Sequence, residues 1–113
     1  MTTLAIFSNK GGVGKTAAAV NLSYLAARAG AKTLICDLDP QGSATYYFRV
    51  KPKLKSGPKG FVKGAKGVYK SVKGTDFDNL DILPADFSLR KLDVLYSRFG
   101  NSKKQLKLML YPF

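Results

Sequence analysis

The chain has 113 residues, 45% of them hydrophobic, which is enough for one small globular domain. It contains no histidine and one cysteine, so an internal disulfide is excluded and a zinc or iron–sulfur site within this segment is not expected. Since no apolar run is long enough to span a membrane and no signal peptide is recognisable, we expect a cytoplasmic protein.

Residues 3–8 form a short apolar segment that predicts a first strand, and a glycine-rich loop follows at residues 9–16. The loop reads Asn-Lys-Gly-Gly-Val-Gly-Lys-Thr. Glycines let a backbone turn tightly with its N–H groups directed at an anion, and a helix that begins there adds the positive end of its dipole. Strand, loop and helix in this order predict a phosphate-binding site, in which Lys15 reaches the phosphates and Thr16 ligates Mg²⁺.

The alanine-rich residues 16–29 predict the helix, with Gly30 suited to the position just after its end. Its apolar face should contain five residues at three- and four-residue spacing: Ala18, Leu22, Leu25, Ala26 and Ala29. The helix should form a right-handed crossover between two parallel strands.

Residues 32–37 predict the next buried parallel strand, with Cys36 as a small core residue. The strand ends in Asp37 and Asp39, followed by Pro-Gln-Gly. Open α/β sheets bind ligands at the carboxyl ends of their strands, and a Mg·nucleotide site needs carboxylates that hold metal-bound water and orient an attacking water. An ordinary polar turn is the alternative interpretation.

Nine of the twelve net positive charges of the chain come from a lysine- and glycine-rich insert at about residues 49–74. After an irregular linker at 50–58, five lysines at helical spacing predict a basic amphipathic helix: Lys59, Lys63, Lys66, Lys70 and Lys73. Such a helix could contact nucleic acid or an acidic membrane surface, or it could simply be a solvated face over packed apolar residues. Three glycines within it make an isolated helix marginal.

Three further elements are predicted beyond the insert. Residues 79–83 predict a third short strand, residues 87–99 an amphipathic helix, and residues 103–110 a second helix. The fold class is therefore α/β, with a parallel sheet of about three strands and flanking helices.

The loop lacks the usual first glycine, since Asn9 stands there, and has an extra lysine at position 10. This pattern, K-G-G-x-G-K-T, resembles the deviant P-loop (Walker A) of the ParA/MinD partitioning ATPases, and Asp-Leu-Asp-Pro-Gln resembles the first switch segment of that family. The resemblance implies ATP and Mg²⁺ as cofactors. It implies nucleotide binding by eight residues: Lys10, Gly11, Gly12, Val13, Gly14, Lys15, Thr16 and Ala17.

The resemblance also implies individual roles in catalysis. Lys10 would reach the phosphates of a partner subunit in a homodimer that sandwiches ATP, Lys15 would hold phosphate, and Asp39 would serve the attacking water. Thr16 would ligate Mg²⁺, and Asp37 would lie near the metal and contact it through water. The complete protein would hydrolyse ATP, bind DNA non-specifically at the nucleoid rather than a membrane, and act with a ParB-like adaptor in chromosome or plasmid partitioning.

The resemblance extends to about residue 99 and is specific only at residues 9–16 and 37–42. No strand ending in a Walker-B-type aspartate is recognisable, so we expect residues 1–113 to be the N-terminal part of such a domain, inactive by itself. A short chain completed by a partner remains an alternative. Two other functions remain open: another deviant-P-loop protein, such as an iron–sulfur carrier, reductase or cobyrinic-acid amidotransferase, or a non-hydrolysing basic nucleic-acid-binding module.

Overall fold

The computed structural model describes residues 1–54, 65–91 and 113. The elements in chain order are α1 (Lys15–Arg28), β1 (Thr33–Cys36), α2 (Ser43–Tyr47), α3 (Ala65–Tyr69), β2 (Lys73–Gly74), β3 (Leu80–Leu83) and a 3₁₀-helix (Phe87–Lys91). In the described part of the chain, no helix is both long enough and apolar enough to cross a membrane.

The sheet has the order β1–β3–β2 and is mixed. β1 and β3 pair in parallel, from Thr33 opposite Leu80 to Cys36 opposite Leu83, whereas the two-residue strand β2 pairs antiparallel with β3. The two parallel strands β1 and β3 were predicted at residues 32–37 and 79–83, and both are confirmed. β2 was not predicted, because two residues are too few to produce a recognisable alternation.

Each face of the sheet carries a hydrophobic cluster, in keeping with the apolar character of its strands. On one face Ile35, Leu80 and Ile82 pack with Val20 and Ala27 of α1 and with the region of α2. The other face carries a second cluster that comprises Leu54, Val68, Leu83, Ala85 and Leu89, with Cys36 and Phe113 packed against it. Cys36 is thus a packing residue, and burial raises the pKa of its thiol to about 11.

The prediction of a strand at residues 3–8 is wrong for this structure. The segment has no regular secondary structure, and Leu4 and Phe7 are 70% and 84% exposed. Strands form by pairing, and within the described residues the backbone groups of residues 3–7 have no hydrogen-bond partner. An apolar composition therefore does not suffice to make residues 3–8 a strand, since β1 pairs with β3 and not with this segment.

α1 confirms the predicted helix but buries a different face. The buried positions are Val20, Ser23 and Ala27, whereas Leu22 and Leu25 are about half exposed. Because the helix carries alanines on every side, its apolar periodicity does not identify one face, and packing against β1 and β3 selects the one that is buried. The predicted helix end is confirmed, since Gly30 follows it with a left-handed φ of 97°.

Within the described residues, the predicted basic helix is present in part. Of the described residues in the insert, 65–69 are helical, Lys70 lies in the turn that follows, and Lys73 belongs to β2. Lys59 and Lys63 lie outside the described residues. The predicted helix at 87–99 begins as a 3₁₀-helix, and its remainder and the predicted helix at 103–110 also lie outside the described residues.

Asp86, between β3 and the 3₁₀-helix, anchors two loops to each other. It accepts hydrogen bonds from the backbone N–H of Leu54 at 3.0 Å and from both the hydroxyl and the N–H of Ser88. Burial by itself would raise the pKa of Asp86, but these hydrogen bonds and the nearby Lys53 charge outweigh it and lower that pKa. Residues 51–54 are thereby held at the carboxyl end of β3.

Candidate nucleotide-binding site

The glycine-rich loop turns sharply into α1. Gly12 and Gly14 have left-handed φ angles of 73° and 88°, which a residue with a Cβ adopts only at a cost. Gly14 is the N-cap of α1 and provides no side-chain cap. Within the described residues, the N–H groups of residues 15–17 have no acceptor, so three donors and the positive end of a 14-residue helix are available to an anion.

Lys15 connects the two sequence motifs. Its Nζ lies 3.2 Å from Oδ2 of Asp39, and about a third of each side chain is exposed. The other oxygen of Asp39 accepts the backbone N–H of Gln41 at 3.0 Å. The hydrogen bond from Gln41, opposed by burial and assisted by Lys15, lowers the pKa of Asp39, which therefore stays ionised at neutral pH.

A cavity of about 470 Å³ lies between these groups. It is lined by residues 8–17 together with Asp39, Gln41 and Ser43. All eight residues expected to bind nucleotide therefore line one cavity, and Asp39 reaches it from the end of β1. Gln41 belongs to the motif that resembles the switch segment, but neither it nor Ser43 was assigned a site role from the sequence, although both follow Asp39 closely and their polar character was a usable signal.

Asp37 occupies a different position from Asp39. Its side chain is buried, and Oδ2 accepts two hydrogen bonds from Thr45, one from the N–H at 2.9 Å and one from the hydroxyl at 2.6 Å. Oδ1 accepts the N–H of Asp39 at 3.3 Å. One oxygen is thus fully occupied by protein donors, and only Oδ1 retains capacity for a water molecule. Contact of Asp37 with metal-bound water stays a prediction.

Lys10 is exposed at the edge of the cavity. Its backbone is held by Ser8, whose Oγ accepts the Lys10 N–H at 3.1 Å and donates to the Lys10 carbonyl at 3.2 Å. Its ammonium group contacts no acid in the part of the chain that the structure describes. Lys10 therefore combines an exposed, unpaired charge with a position on the rim of the cavity.

The residues present fit a nucleotide better than they fit a metal alone. Uncapped N–H groups, two lysines and a cavity suit phosphate. Among the described residues, no three carboxylate, cysteine or histidine side chains come together as a metal cluster. Mg²⁺ often keeps several waters and shares its shell with substrate phosphates, so Thr16 and one nearby carboxylate are an adequate protein contribution.

Comparison with known proteins agrees with this geometry. A model of the AAA domain family matches residues 1–112. The chain is 35% identical over 92 residues to the sporulation initiation inhibitor protein Soj of Bacillus subtilis. This alignment covers 80% of this chain and 36% of Soj. It is 37% identical over 83 residues to the chromosome-partitioning ATPase Soj of Thermus thermophilus, and that alignment covers 74% of this chain and 28% of the Thermus protein. The chain belongs to the ParA/MinD family of P-loop ATPases.

Solved structures show the same fold as this ParA/MinD-family chain. Cobyrinic acid a,c-diamide synthase from Mycobacterium smegmatis, with a bound ATP analogue and magnesium, aligns with a TM-score of 0.82 at 26% identity over 94% of this chain and 43% of its own. An ATP complex of Cyanothece McdA aligns with a TM-score of 0.80 at 25% identity, and the alignment covers 94% of this chain and 41% of McdA. The chain thus spans well under half of the length of these proteins.

Proposed function

We propose that this chain is the phosphate-binding, N-terminal part of a ParA-like ATPase that acts in chromosome or plasmid partitioning. The observation that carries the proposal is the contact of Lys15 with Asp39. It brings the glycine-rich loop and the aspartate segment, 24 residues apart in sequence, to one cavity. Curated relatives named Soj and ParA, which match this region, favour partitioning over the amidotransferase with a similar fold.

Each residue of the cavity has a proposed task. The N–H groups of residues 11–16 and the Lys15 ammonium hold the phosphates, and Val13 and Ala17 contribute backbone and shape. Thr16 offers its hydroxyl to Mg²⁺, and Oδ1 of Asp37 holds a water of the metal shell. When bound, the metal neutralises charge on the phosphates. Asp39, kept ionised, accepts a hydrogen bond from the attacking water and orients it.

Two further features support a nucleotide-dependent dimer on DNA. Lys10 is exposed and pairs with no acid among the described residues, which leaves its ammonium group available to phosphates bound by a second copy. The net charge of +12 favours non-specific attraction to DNA, with a ParB-like adaptor as the proposed regulator and the nucleoid as the proposed location. All of these properties are proposed for the full-length protein, in which further segments complete the domain.

The proposal is tested by calorimetric titration of the chain with a non-hydrolysable ATP analogue and Mg²⁺, with circular dichroism to verify that each variant is folded. Lys15→Ala should weaken binding by about tenfold to a hundredfold, the value of a hydrogen bond from a charged group. Lys32→Ala, which removes the same charge next to the other end of β1, serves as the matched control and should bind like wild type.

Lys10→Ala separates the two lysines of the loop. It should leave affinity of the monomer unchanged and should abolish any dimer that the nucleotide induces, as measured by light scattering. The proposal is wrong if the folded wild-type chain binds no nucleotide, or if Lys15→Ala binds as tightly as Lys32→Ala. Affinity for nucleic acid that falls steeply with salt, without nucleotide binding, would favour the basic binding module instead.

A further inference from the structure

Thr45 connects three separate parts of the structure with one side chain. It lies in α2, it is fully buried, and its hydroxyl donates to Oδ2 of Asp37 at the end of β1. The Thr45 hydroxyl oxygen also accepts a hydrogen bond, at 2.8 Å, from the N–H of Ala85, which lies just beyond the end of β3. The ends of the two parallel strands and the start of α2 are therefore held together by a single hydroxyl group.

The connection continues into the cavity through Asp37. With Oδ2 held by Thr45, the carboxylate presents Oδ1 to the backbone N–H of Asp39. Asp39 in turn contacts Lys15 and begins the turn that the Gly42 N–H closes on the Asp39 carbonyl at 2.9 Å. A rotation of the Asp37 carboxylate would therefore disturb both Oδ1 and the backbone that carries Asp39.

We propose that Thr45 is a positioning residue of the nucleotide site, which acts through Asp37 by fixing the orientation of its carboxylate. Thr45 touches neither the cavity nor, by our proposal, the nucleotide. Its role is to consume Oδ2, so that Oδ1 faces Asp39 and the water shell of Mg²⁺. The metal part of this inference rests on the proposed function, whereas the hold on Asp39 does not.

Three variants separate this role from mere packing. Thr45→Val keeps the shape but removes the hydroxyl, and leaves the Ala85 N–H without its acceptor. Thr45→Ser keeps the hydroxyl and loses a methyl group. Thr33→Val is the matched control, because among the described residues its hydroxyl bonds only to the Ala31 carbonyl, at 2.9 Å, at the opposite end of β1.

The first measurement is amide hydrogen exchange by NMR on the complete ligand-free chain. In Thr45→Val, exchange at Asp39 and Ala85 should accelerate by about tenfold beyond any change that all amides share, as expected for loss of one buried hydrogen bond. Thr45→Ser and Thr33→Val should resemble wild type at both sites. Acceleration at Ala85 alone would overturn the inference, since Thr45 would then tie strands together without holding Asp39.

The second measurement is the factor by which Mg²⁺ tightens binding of the ATP analogue. Groups that orient a metal ligand typically contribute tenfold or more to metal affinity, so Thr45→Val should reduce this factor by about tenfold while Thr45→Ser retains it. An unchanged factor in a wild type that binds nucleotide would overturn the inference. If wild type binds none, the proposed function fails, and the exchange at Asp39 alone decides whether Thr45 positions it.

Discussion

Replacement of Asp39 by asparagine should tighten the binding of nucleotide while removing the group proposed for hydrolysis. In the structure Asp39 pairs with Lys15 at 3.2 Å, so bound phosphates must compete with this carboxylate for the lysine. About a third of each side chain is exposed, which places the pair among those worth about 0.2–1 kcal/mol. Release of Lys15 should therefore raise affinity by about 1.4-fold to 5-fold.

The assay is calorimetric titration of wild type and Asp39→Asn with Mg²⁺ and a non-hydrolysable ATP analogue at two salt concentrations. The matched control is Asp78→Asn, which changes net charge equally but lies just before β3, at its other end. The gain of Asp39→Asn over this control should shrink at high salt, because the competing pair is partly exposed. Equal or weaker binding by Asp39→Asn would show that the pair with Lys15 does not oppose the nucleotide.

Four substitutions and one chemical modification test the fold. Gly42→Ala should cost about 1–2 kcal/mol of unfolding free energy, because φ is +66° there; the new Cβ itself would lie at ordinary van der Waals distance, 3.4 Å, from the Cβ of Ala85. Ile82→Ala, at a fully buried position, should cost about 2–5 kcal/mol, whereas Leu25→Ala on exposed α1 surface should cost about 0.5 kcal/mol or less, both by urea unfolding. Cys36, with a thiol pKa of about 11, should react with iodoacetamide at pH 8 only after denaturation. Asp86 has a lowered pKa in the folded chain, so its contribution to stability is present at pH above its unfolded pKa of about 3.9 and is lost as pH falls through its folded pKa. Asp86→Asn should therefore reduce the loss of unfolding free energy at acid pH. An unchanged dependence of unfolding free energy on pH would contradict this assignment.

The parts of the site that the sequence predicts are those that local chemistry determines. The glycine-rich loop needs left-handed backbone at specific positions, and only glycine supplies it without strain, so the pattern itself encodes the turn. The strand β1 is also determined locally, because a run of β-branched and apolar residues followed by two carboxylates is itself the pattern of a buried strand that ends at a polar site. The meeting of Lys15 with Asp39 was expected from a crossover helix between two paired strands. In the structure residues 3–8 form no strand, and the two residues meet because α1 packs on β1 with its first residue beside the carboxyl end of that strand.

The parts that the sequence does not predict depend on residues far apart in the chain. Thr45 lies 40 residues from Ala85, and nothing near Thr45 in sequence indicates that its hydroxyl joins two strand ends. Which face of α1 is buried is likewise decided by the strands it contacts, because Leu22 and Leu25 are as apolar as the residues that are buried. Short strands such as β2 exist only because β3 offers them an edge.

Among the described residues no strand pairs with residues 3–8, and this has a consequence for the glycine-rich loop that follows. The loop is held on its far side by α1 and by the Lys15–Asp39 pair, but on its near side it continues into an exposed segment in which Leu4 and Phe7 contact little. Binding of phosphate must then order the loop as well as contact it, and that ordering reduces the net affinity. Any strand that pairs with residues 3–8 would order the loop in advance, so a ParA-like protein that contains this chain together with such a strand should bind nucleotide more tightly than residues 1–113 do alone, through the same contacts.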